Sequence, residues 1–151
     1  MDRPVNIIDK IGSLIPGYRG YVEREGRRNC DRTLREKVSD DLSIFEKVIV
    51  REINNAINKS EMDKMRRLES ERKDVNTLLS KIRYAPYGAS SFFSDQQIKE
   101  EELMTIYQYD LDLAESVDRL VSIDLSESMS ETINNIEDIL VKRNQFIKEN
   151  K

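Results

Sequence analysis

Arg24, Arg28, Asp31 and Arg35 are spaced four, three and four residues apart. At helical pitch that spacing puts all four on one face. Three guanidinium forks on one face could hold a carboxylate or a phosphate bidentately. Local pairs such as Glu23–Arg27 and Asp31–Arg35 could equally satisfy them in place. Residues 19–37 carry a net charge of only +3, because Glu23, Glu25, Asp31 and Glu36 dilute the arginines. That dilution argues against nucleic acid, which calls for a clustered basic patch.

The same region is rich in phenols. Tyr18, Tyr21, Tyr84, Tyr87, Phe92 and Phe93 are six of the chain's ten aromatics. Four of them fall within the loop Tyr84–Ser94, where Pro86 and Gly88 break helical structure. Aromatics in such a loop fold over a core or dock on a partner.

Little else in the chain could do chemistry. The sequence contains no histidine, which removes the commonest general base and the commonest metal ligand together. Asp110, Asp112, Glu115 and Asp118 alternate faces and lack the Glu-x-x-His pairs of a di-iron bundle. The calcium-loop pattern, a glycine-rich phosphate loop, a nucleophile elbow and a CxxC pair are all absent. The lone Cys30 reads as a small apolar residue at the margin of a helical stripe. No cofactor and no metal are expected, and an enzyme is not the expected class.

Positioning these residues falls to helices. At 151 residues, with 36% charged and 38% hydrophobic side chains, 5 glycines and 3 prolines, the composition is that of exposed helices around one core. Ile8, Ile11 and Ile15 mark a short amphipathic segment over 1–17, ended by Pro16-Gly17. It is expected to dock on the rest, with a membrane surface as the alternative seat. Leu34, Val38, Leu42, Phe45, Ile49, Ile53 and Ala56 repeat at three and four within one helix from Arg19 to about Asn58. Gly20 and Gly26 weaken its front, so that its start moves toward Arg27.

Ser60 with Asp63 reads as the start of a second helix ending near Arg83, with Arg72 interrupting its stripe. Ser94 with Gln97 reads as the start of a third, over about 95–122. Ser128 with Glu131 caps a fourth, with Ile133, Ile136, Leu140 and Ile147 on its inner face. The expected fold is all-α: a long antiparallel helical bundle of four principal helices plus the short N-terminal one, with 18–151 as a single domain.

Helix lengths make the second helix reach back to about Arg35. The N-terminal segment, Tyr18–Arg35, the loop 84–94 and the basic C-terminus should therefore gather at one pole. The other pole should hold only turns. Charge is uneven along the chain: +4 over 1–94, −11 over 95–140 and +3 over 141–151.

The run Gly17-Tyr-Arg-Gly-Tyr21, followed by Glu25, Arg27, Arg28, Asp31, Leu34 and Arg35, resembles the opening of a group of small prokaryotic helical proteins. The resemblance covers about a fifth of the chain. It implies a helical fold and carries no activity.

The expected function is a non-catalytic helical scaffold or adaptor that binds a protein partner. The contact residues would be Tyr18, Tyr21, Arg24, Arg28, Asp31, Arg35, Tyr84, Tyr87, Phe92 and Phe93. The alternative is peripheral membrane association through the N-terminal helix and this pole. A homo-oligomer sharing the Leu34–Ala56 stripe is a further expectation. The absence of an apolar signal core or membrane span favours a cytoplasmic location.

Overall fold

The computed structural model describes residues 4–85, 91–93 and 97–149, with the side chains of 4, 5 and 91 excepted. It is all-helical, and no strand occurs among the described residues. Five helices form the molecule: α1 (Pro4–Leu14), α2 (Arg27–Asn58), α3 (Met62–Arg83), α4 (Glu100–Val121) and α5 (Ser130–Glu149).

Local chemistry sets each boundary. Proline suits the first position of α1, because its missing N–H has no helical partner there. After α1 the chain turns through Gly17 and Gly20, both at positive φ, and makes a short 3-10 turn at Arg24–Gly26. The segment 19–26 is therefore outside α2, which begins at Arg27, the start toward which the weakened front was expected to retreat.

α2 ends in a left-handed turn at Ser60, with φ of 59°. Glu61 N–H donates to Ala56 O at 2.8 Å and Ser60 N–H to Ile57 O at 3.0 Å, the pairing of a Schellman close. Ser60 thus finishes α2, and the N-cap of α3 is Glu61, one residue later than the Ser60–Asp63 pattern suggests.

α4 starts at Glu100, later than expected. The Lys99 N–H donates to Glu102 Oε1 at 3.0 Å, while Ser94 lies outside the described residues. Three glutamates in its first turn suit the positive end of the helix.

α2 and α3 form an antiparallel hairpin, with Arg72 beside Glu46 and Lys64 beside Glu52 at 3.0 Å each. α4 and α5 pack together and against this hairpin, and α1 lies on α4. All five contribute to one core. Ile7, Ile11 and Ile15 of the N-terminal segment are buried in it, each supplying roughly 1.5–3 kcal/mol of apolar burial. The Leu34–Ala56 stripe is also used up inside the single chain. No helix among the described residues is long and apolar enough to cross a membrane.

Candidate functional site

The described parts of the four segments expected at one pole do meet there, and their chemistry points inward. Arg143 on α5 has no exposed side-chain surface. Its Nε donates to Asp110 Oδ1 at 2.6 Å, and its second terminal nitrogen donates to Asp31 Oδ1 at 2.8 Å. Tyr18 and Tyr21 donate their hydroxyls to the other oxygen of Asp110, at 2.6 and 2.5 Å. Arg35 ends the series, with Nε 2.9 Å from Asp31 Oδ2. Two carboxylates thus face two guanidiniums, which is the balance a buried cluster requires.

Each member is held by packing. Tyr21 stacks on Tyr107 with ring centroids 5.8 Å apart, and it meets Phe93 at 5.6 Å. Phe92 sits edge-on to Phe93 at 5.1 Å and to Phe146 at 5.7 Å. Tyr21 N–H donates to the Tyr107 hydroxyl at 2.9 Å, and Arg27 Nε donates to Tyr21 O at 2.9 Å. Gly20 makes this approach feasible, because a Cβ there would lie 2.7 Å from the Tyr107 oxygen.

Burial governs protonation in the cluster. It pushes the Tyr18 and Tyr21 phenols well above their ordinary value, with the Asp110 charge adding to the shift. Both therefore act as neutral donors. Burial also raises Asp110, while Arg143 and the two phenols pull it back. The Cys30 thiol, buried beside them, is pushed up to about 11, so it stays protonated and unreactive.

The candidate residues accordingly divide in two. Tyr18, Tyr21, Asp31, Phe92 and Phe93 are buried, so they build the pole and offer no surface to a partner. Arg35 is half-buried and committed to Asp31. Arg24 and Arg28 are exposed, and Tyr84 is 75% exposed. Tyr87 lies outside the described residues.

Two residues central to the cluster, Asp110 and Arg143, were not among the candidates. They lie on the apolar stripes of α4 and α5, and a pair of opposite charges on two stripes was the available signal. A second buried group sits at the other pole. Glu71 of α3 accepts the Met129 N–H at 2.8 Å and so caps α5, while Arg67 holds its other oxygen at 2.7 Å. Arg67 also donates to the carbonyls of Leu125 and Glu127, at 2.6 and 2.9 Å. That pole is therefore more than a set of turns.

Among the described residues, no group of three or more Cys, Asp or Glu is placed to hold a metal ion. Comparison with protein-family models, with curated proteins and with solved structures finds no match for the chain. The resemblance of Gly17–Arg35 to small helical proteins therefore rests on those residues alone.

Proposed function

We propose that this chain is a non-catalytic helical adaptor that binds an acidic protein surface through the outer side of the Arg-rich pole. One observation carries the reading: Arg24, Arg28 and Arg32 all remain exposed around the first turns of α2. They surround a helix start that has no acidic residue in its first turn and no side-chain cap. Positive side chains beside the positive end of a helix are unfavourable for the isolated helix. A carboxylate-bearing partner relieves that repulsion and meets rigidly based guanidiniums.

The buried cluster contributes the base. Tyr18, Tyr21, Asp31 and Arg143 fasten the linker and the start of α2 onto α4 and α5, so the arginines project from a fixed platform. Membrane association draws less support, since the isoleucine face of α1 is spent on the core.

The test is capture from extract of the native cell by immobilised wild type and by the R24E/R28E variant, read by mass spectrometry. Acidic proteins held at low salt by the wild type should be lost by the variant while its thermal CD curve is unchanged. An identical captured set would show that this face is not the contact.

A further inference from the structure

A cavity of about 360 Å³ lies where the front of α2 meets the end of α3, lined by Arg32, Arg35, Glu36, Ser39, Asp40 and Arg83. Three arginines line it, two from α2 and one from α3. Their commitments differ. Arg35 is tied to Asp31 and lies 3.4 Å from the carbonyls of Ile82 and Arg83. The Arg83 side chain makes no hydrogen bond among the described residues; it has only a charge contact of 3.9 Å with Asp40. Arg32 makes one long hydrogen bond, 3.5 Å to Asn29.

We infer that this cavity is a binding site for a phosphate group, clamped between Arg32 and Arg83 with Arg35 as its floor. Each guanidinium offers five N–H donors in a planar fork, and among the described residues nearly all those of Arg32 and Arg83 are unspent. A phosphate monoester brings close to two negative charges and three acceptor oxygens at neutral pH. It can therefore engage two forks at once, where a single carboxylate fills one. Glu36 and Asp40 reduce the lining to a net of one positive charge, so attraction at long range is small and recognition falls to the directed donors. The Arg83–Asp40 contact, already beyond hydrogen-bond length, is the pair that phosphate would replace.

This inference deepens the adaptor reading by naming a chemistry at the same pole, and the two fail separately. Arginine Nε–H spectra of the 15N-labelled protein are recorded in low salt during titration with inorganic phosphate, O-phosphoserine or acetate. Both phosphates should shift the Arg32, Arg35 and Arg83 signals, with acetate at least about tenfold weaker. R83Q should raise the phosphate Kd about tenfold or more, and R32Q should do the same. Binding of O-phosphoserine in preference to the free ion would identify a phosphorylated ligand, and the reverse would identify phosphate itself. Absence of shifts at these three arginines, or equal affinity in R83Q with its CD spectrum intact, overturns the site. Phosphate binding together with unchanged partner capture by R24E/R28E would overturn the adaptor reading alone.

Discussion

Arg143 Nε lies 2.6 Å from Asp110 Oδ1, and neither side chain retains any exposed surface. Removing one partner strands the other in the core. Arg143→Met should destabilise the fold by about 3–5 kcal/mol, because it leaves the buried Asp110 without its counter-charge. Adding Asp110→Asn to that variant should recover part of the loss, since the two sites are coupled. Urea unfolding of the wild type, the two single variants and the double variant measures this. Additive losses would mean that the pair does not interact.

High pH should open the same cluster from the phenol side. The folded-state values of Tyr18 and Tyr21 lie above the ordinary 10.0, so the folded state holds protons that the unfolded state gives up. Stability from these groups is fully present below pH 10 and is lost as pH rises through the folded values. Phenolate absorbance at 295 nm followed beside far-UV CD should show a tyrosine fraction that ionises only as the helices melt. Complete ionisation with CD unchanged would contradict burial of those hydroxyls.

Gly20 has φ of +86°, and a Cβ there would meet the Tyr107 oxygen at 2.7 Å. Gly20→Ala should cost more than about 2 kcal/mol, as backbone strain and overpacking combine. Gly26 has open space around its Cα and no positive φ, so Gly26→Ala should change stability by less than about 0.5 kcal/mol. Thermal denaturation of the two variants provides the comparison.

The opposite sign is expected at the end of α2. Ser60 occupies the left-handed position that glycine usually fills. Ser60→Gly should therefore stabilise the protein by roughly 0.5–1 kcal/mol, read as a raised urea midpoint with an unchanged slope.

These positions also show how far the sequence could be read. The α2 stripe from Leu34 to Ala56 was legible because an apolar repeat at three and four is the direct imprint of a buried helical face. The convergence of four distant segments at one pole followed from helix lengths alone. The burial of Tyr18, Tyr21 and Asp31 did not, because the apolar repeat says nothing of which polar residues find partners inside. Asp110 and Arg143 sit in register with Tyr107 and Ala114, and with Leu140 and Ile147. A lone charge on an apolar stripe does not name its partner, and the pair becomes evident only when α4 and α5 face each other. Glu71 was hidden for the same reason: apart from Arg67, its partners lie 57–59 residues away in the α4–α5 connection and the start of α5. Ser60 misled because serine is both a common helix start and an occasional left-handed stop.

The most direct test is the Arg143 side chain itself. In 15Nε–1H spectra its Nε–H should exchange far more slowly than that of exposed Arg24 and show NOEs to the ring of Tyr21. An Arg143 Nε–H that exchanges as fast as Arg24, with no contact to that tyrosine, would contradict the buried cluster on which the Arg-rich pole is built.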